Sequence, residues 1–199
     1  MACIKKFTKD ILKSCAEPDG VIKDRLVLIN VEDIDFANVT TTTTYASGTL
    51  GATEIITSLP LKNGTRGYEI EGINGSIIAR ETAERGTYRP TITQEIEFVA
   101  WSVEPDTLDA IQQLLKSKVI AVFESNGQFR VGGWKSGMQV RSLSADTSDT
   151  DKGGMFTIIL DKVSAPSLMP VFGVLNGTTN EYNYAASLAA FENLKQAAP

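Results

Sequence analysis

The sequence contains no histidine. That absence excludes a Ser/His/Asp or Cys/His nucleophile system and any zinc site built on imidazole. It also removes the side chain most often used as a general base near neutral pH. Cysteine is nearly absent too, with only Cys3 and Cys15. Two thiols without an imidazole partner are too few for a structural zinc site. A disulfide between them would close only a short loop, and the low count fits a reducing compartment. No apolar run approaches the length of about 18 residues that a membrane-spanning helix needs. The opening residues, MACIKKFTKDILKSC, carry lysines but lack the apolar stretch of a secretory signal. Positive charge is in deficit: 19 Lys and Arg stand against 24 Asp and Glu, a net charge of −5. Such a chain is poorly suited to gripping nucleic acid, whose affinity comes largely from cations neutralising phosphates. No GxxxxGK[ST] phosphate loop occurs either.

What remains is an ordinary globular composition, 42% hydrophobic and 22% charged over 199 residues. That length can bury a sizeable core without disulfides or metal. With no internal repeat and no shift in composition, residues 1–199 read as a single domain. Turn chemistry is the strongest local signal. Asn-Gly occurs at 63–64, 74–75, 126–127 and 176–177, and both residues accept the positive φ of a type I′ hairpin turn. Between the turns lie runs rich in Val, Ile, Thr, Tyr and Phe. They predict strands near 23–31, 66–73, 76–82, 88–101, 119–124, 128–134, 137–144 and 154–163, a mainly β, antiparallel protein.

Two segments alternate with period two. In 91–101, Ile92, Ile96, Phe98 and Ala100 fall on one face and Thr91, Thr93, Glu95 and Glu97 on the other. In 68–72, Tyr68 and Ile70 oppose Glu69 and Glu71. Strands half buried and half wet read this way. VIAVF at 119–123 is apolar on both faces and predicts a central, doubly covered strand. One helix is expected at 104–118, with Pro105 and Asp106 in its first turn and Leu108, Ile111, Leu114 and Leu115 as its core stripe. Weaker helical spacing appears at 187–198 and at 4–12.

Three stretches read as loops. Residues 39–58 include Thr40, Thr41, Thr42, Thr43, Thr44 and Tyr45, a β-prone run expected to be an extended arm that orders on a neighbouring subunit. Residues 144–154 form an acidic loop with Asp146, Asp149 and Asp151. Its spacing is not that of an EF-hand, so a solvated hairpin loop is expected and no metal or other cofactor is assigned. Residues 166–177 carry two prolines and two glycines. Gly132-Gly133-Trp134 reads as a bulge or a close packing point. The paired carboxylates Glu69/Glu71 and Glu95/Glu97 match glycosidase spacing only superficially, because they sit on Thr- and Glu-rich faces and not in an aromatic cleft.

Two regions carry a family resemblance. One is Gly20-Val21-Ile22-Lys23 leading into Arg25–Asn30 and the acidic Glu32-Asp33-Ile34. The other is 123–160, FESNGQFRVGGWKSGMQVRSL, an acidic loop, then KGGMFTIIL, with the exit Ala165-Pro166 beyond it. This order of hairpin, glycine-punctuated strand, acidic loop and closing strand resembles the C-terminal half of phage tail tube (major tail) proteins of the Bacteroidetes-phage type. About half of the chain is covered. The resemblance implies an antiparallel β-sandwich or barrel with one flanking helix and no catalytic activity. It implies rings, commonly hexameric, whose strands join one inner β-barrel. Such rings stack into the hollow tube of a virion tail, assembled in the host cytoplasm. The implied partners are further copies of the chain, a tape measure protein, tail terminator and baseplate proteins, and a sheath protein in contractile tails. DNA would pass through without specific binding. In that setting Glu69, Glu71, Glu95 and Glu97 are expected on one acidic face lining the lumen, where negative charge repels phosphates. A tail terminator or head–tail connector ring is the alternative within the same class. A carbohydrate-binding β-sandwich is the alternative outside it, one that would want more exposed aromatics than a content of 8% suggests.

Overall fold

In the computed structural model the described residues are 7, 8, 10, 24–42, 44–45, 48–49, 54–72, 75–85, 90–100, 104–145, 155–179 and 181–198. Cys3, Cys15, Thr43, Asp146, Asp149, Asp151 and most of the 4–12 segment lie outside them. The strands in chain order are β1 (Asp24–Asn30), β2 (Thr40–Thr42), β3 (Thr44–Tyr45), β4 (Gly48–Thr49), β5 (Ile55–Ser58), β6 (Tyr68–Gly72), β7 (Ile77–Arg85) and β8 (Pro90–Ala100). Helix α1 (Pro105–Leu114) follows, then β9 (Val119–Ser125), β10 (Gln128–Gly132), β11 (Gln139–Ala145), β12 (Phe156–Ala165), β13 (Val171–Phe172), β14 (Val174–Leu175), β15 (Tyr182–Asn183) and helix α2 (Tyr184–Asn193).

Two main sheets form from these strands, one of seven in the order β2-β5-β13-β10-β9-β1-β6 and one of four in the order β11-β12-β8-β7. Among the described residues all strand pairings are antiparallel except β13 with β5. The sheets face each other as a sandwich and do not close into a barrel.

Alternation decides how the layers stack. On β1, Leu26 and Leu28 point to one side while Val27 and Ile29 point to the other, and all four are buried. On β9, Val119, Ala121 and Phe123 share the side of Leu26, and Ile120 and Val122 share the side of Val27. The expected doubly covered strand is therefore present. One face of the large sheet meets Ile96, Phe98, Ala100, Ile158 and Leu160 of the small sheet, with α1 closing on the same core. The opposite face packs on Phe191 of α2 and on Leu194 just past its end, through Phe129, Val131, Ile56 and Phe172. Phe129 and Phe191 stack with centroids 4.6 Å apart.

The Asn-Gly signals divide. At 126–127 both residues have positive φ, 52° and 72°, and join β9 to β10 as a two-residue hairpin with Ser125 opposite Gln128. The signal at 74–75 falls between β6 and β7, which lie in different sheets. The chain changes layers between those strands and does not close a ladder. The signal at 176–177 begins a longer link between β14 and β15. Gly133 answers the expectation of close packing: its φ is +72°, and an added Cβ would lie 2.6 Å from Met138 Cγ and 2.9 Å from Met138 N.

Helix α1 corrects the expected core stripe. Ile111 and Leu114 are 3% and 1% exposed, but Leu108 and Leu115 are 36% and 45% exposed. The buried face is Thr107, Ala110, Ile111 and Leu114. Small Thr107 and Ala110 let the backbone sit close to the sheet. That rotates the larger leucines outward, and the helix ends before Leu115. The second helix starts earlier than 187, because the Asn183 side chain accepts from Ala186 N and caps it there.

Candidate functional site

The long strands β7 and β8 pair from Ile77–Phe98 to Arg85–Pro90, and β12 covers the other edge of β8. Gln94, Ile96, Phe98 and Ala100 of β8 turn into the sandwich and are buried, while Ile92 is only partly so. Glu95 and Glu97 turn away from it. Arg80 stands opposite Glu95, and its Nη1 lies 2.9 Å from Glu95 Oε1 and 2.9 Å from Glu97 Oε2. Arg141 reaches the other oxygen of Glu95 at 2.6 Å. Arg141 occupies a register shift between Val140 and Ser142 of β11. A bulge of this kind re-aims a side chain, and here it joins the outward set. The hydrogen bonds of Glu97 and then Glu95 hold the Arg80 guanidinium above its ordinary pKa. Ion pairs this exposed contribute little to stability. Their effect is to engage both guanidiniums internally, so the outward face carries carboxylate-bound cations.

The four carboxylates singled out by the sequence do not share a face. Glu69 lies opposite Val27, on the side of the large sheet that packs against α2, and bonds Lys195 Nζ at 3.0 Å. Glu71 is opposite Arg25 on the same strand. The two pairs thus stand on different sheets and look out of opposite sides of the sandwich, which corrects the expectation of one acidic face. Burial acts to lower the pKa of Lys195, but hydrogen bonds to Glu192 and Glu69 outweigh it and raise the value.

The threonine arm is also placed differently. Thr40–Thr42 pair with β5 of the same chain, Thr41 opposite Ile56, and form the outermost strand of the large sheet. Thr44 and Tyr45 continue as a small ladder with Thr49 and Gly48. The described strands within 39–58 therefore pair with one another inside the chain, in two short ladders, and β5 joins them to the large sheet. Thr40 and Thr41 are exposed along an edge with no further strand among the described residues.

Polar contacts that sequence reasoning missed hold the two sheets together. Buried Gln94 donates to Ser167 O at 2.9 Å and accepts from Gly133 N at 2.8 Å. Glu81 accepts from Arg130 at 2.6 Å and from Met169 N at 2.5 Å, while Arg130 donates to Met169 O at 2.9 Å. Together they clamp 167–169, where the chain leaves the small sheet for β13 of the large one. A Gln interrupting the row Ile92, Ile96, Phe98 was the only signal in the sequence. Nearby, Trp134 Nε1 donates to Glu54 Oε2 at 3.0 Å. That bond, opposed by burial and aided by Lys135, lowers the Glu54 pKa.

Concavities among the described residues include one of about 400 Å³ beside the C-terminal end of α2 and one of about 570 Å³ between Trp134 and Leu168. Neither is lined by Glu69, Glu71, Glu95 or Glu97. Among the described residues no three His, Cys, Asp or Glu side chains group as metal ligands, and no helix is long and apolar enough to cross a membrane. No protein-family model, curated protein or solved structure matches the chain.

Proposed function

We propose that this chain is a self-assembling structural subunit of the phage tail tube type, in which the four-stranded sheet forms a segment of a ring wall. The observation that carries the reading is the state of that sheet. It has two long outer strands, β7 of nine residues and β11 of seven, each with one edge that pairs with no strand among the described residues. Its central strands β8 and β12 bury one face in the sandwich, and the other face sets Arg80, Glu95, Glu97 and Arg141 among the apolar Ile78, Val99 and Ile159. Free edges of this length are liabilities in a monomer, and pairing β7 of one copy with β11 of the next removes both. Repetition closes a ring whose inner surface is the face bearing Arg80, Glu95, Glu97 and Arg141. The exposed Thr40 and Thr41 on the outer edge of β2 offer a second place for contact between copies.

Electron microscopy of the purified protein tests the reading, with rings or stacked tubes expected and single rings favouring a terminator or connector. The strand pairing is tested by Thr82→Cys and Ser142→Cys in a chain whose Cys3 and Cys15 are replaced by serine. Within one copy these strands are three inter-strand spacings apart, roughly 14 Å, too far for a disulfide. Any disulfide is therefore intermolecular. A protein that stays monomeric at high concentration and gives no such bond is not a ring subunit of this kind.

A further inference from the structure

The segment carrying Phe7, Thr8 and Asp10 is held by a socket with the features of a peptide-binding site. Phe7 is fully buried among Leu26, Leu28 and Ile70, with its ring edge-on to Tyr68 at 5.2 Å. The buried side chain of Asn30 reads the Phe7 backbone in both directions, accepting from its N–H at 2.9 Å and donating to its carbonyl at 2.7 Å. A second bond from Asn30 Nδ2 to Asp33 Oδ2, 2.9 Å, fixes the amide orientation. Thr8 donates from its N–H and its hydroxyl to Gln113 Oε1 of α1, at 3.1 and 2.5 Å. Asp10 accepts from Arg66 Nη2 at 2.7 Å and from the Glu69 N–H at 2.8 Å. β6, which carries Glu69, is the outermost strand of the large sheet. Asp10 therefore answers an N–H on the edge of the large sheet opposite β2.

An aromatic anchor, an amide reading one backbone unit and a charge-paired carboxylate are how extended peptides are recognised. None of these contacts depends on chain continuity. The nearest link from Asp10 to β1 is residues 11–23, 13 residues whose maximal reach is about 45 Å. We infer that this socket is a binding site for the Phe7–Asp10 segment and that, in the assembly, a second copy supplies the segment. The exchange replaces each contact by its identical counterpart, so it costs little. The closely spaced subunits of a ring raise the effective concentration that drives it. This supply in trans rests on the self-assembly proposed above. The socket itself does not.

Two measurements on the full chain separate these claims. In the first, Phe7→Ala empties the socket, and a labelled peptide of residues 4–12 is titrated against that variant by fluorescence anisotropy. Saturable binding with recovered thermal stability is expected. The same peptide carrying Phe7→Ala should bind about a hundredfold more weakly. Equal or absent binding of the two peptides overturns the socket. In the second, two otherwise cysteine-free chains, one with Thr8→Cys and one with Gln113→Cys, are mixed, assembled and treated with a short bismaleimide. A cross-linked product of two chains is expected. A chain carrying both cysteines that links only to itself, with no product from the mixture, overturns the exchange. Sedimentation of the same samples reports whether assembly occurred. Failure to oligomerise therefore counts against the ring, while the peptide titration still decides the socket.

Discussion

The two sheets are built from similar residues but meet water differently. The large sheet is covered on both sides, by the small sheet with α1 and by α2, so β1 and β9 are apolar at every buried position from Leu26 to Ile29 and from Val119 to Phe123. The small sheet is covered once over most of its area: β8 alternates core residues with half-buried Glu95 and Glu97 until Val99, which is buried on the outward side. Burial on two faces makes a strand intolerant, whereas one wet face leaves freedom to arrange charge. The large sheet is thus the stability element and the small sheet the surface on which a ring wall could be built.

Substitutions should separate these roles. The largest effect is expected from Phe129→Ala, which removes a buried ring stacked between β10 and α2 and should cost about 3–5 kcal/mol. Ile159→Thr, on the outward face of β12, should change stability by about 0.5 kcal/mol or less. Equal losses in chemical denaturation would erase the distinction between the sheets. On α1, Leu114→Ala should cost about 2–5 kcal/mol and Leu108→Ala about 0.5 kcal/mol or less. A reversal would restore the stripe that spacing alone suggests. Gln94→Ala leaves Gly133 N–H and Ser167 C=O without their partner and should cost about 1–3 kcal/mol.

A smaller effect is expected from Glu54. Its pKa is lowered in the folded chain, first by the Trp134 hydrogen bond. It therefore adds stability above its unfolded pKa, and that contribution disappears as pH falls through the lower folded value. Glu54→Gln should flatten this part of the acid limb in thermal melts, and an unchanged slope would mean that the bond adds nothing. The smallest effect on stability belongs to Glu95→Gln with Glu97→Gln, since these pairs are exposed. Their effect should instead appear in binding. Freed guanidiniums should retain double-stranded DNA at low salt and release it as salt rises, whereas the unaltered protein should not. Absence of retention by the variant would show that the carboxylates do not mask Arg80 and Arg141.

Composition and local pattern were enough for the β class, most strand positions, the tight turn at Asn126-Gly127, the central VIAVF strand and the existence of α1. These depend on side-chain period and on φ preferences, which are local properties. The same reasoning placed Leu108 and Leu115 in the core, because helical spacing permits several overlapping stripes and only the close approach of Thr107 and Ala110 selects one. It grouped Glu69 and Glu71 with Glu95 and Glu97, because period two tells which residues share a strand face but not which sheet the strand joins. Tertiary structure alone brought Arg80 and Arg141 to Glu95, folded the threonine run back onto β5, and seated Phe7 beside Asn30, 23 residues away. Each of these is a pairing between distant segments. Such pairings are decided by strand order and register, which the global burial of apolar surface selects and no single segment encodes.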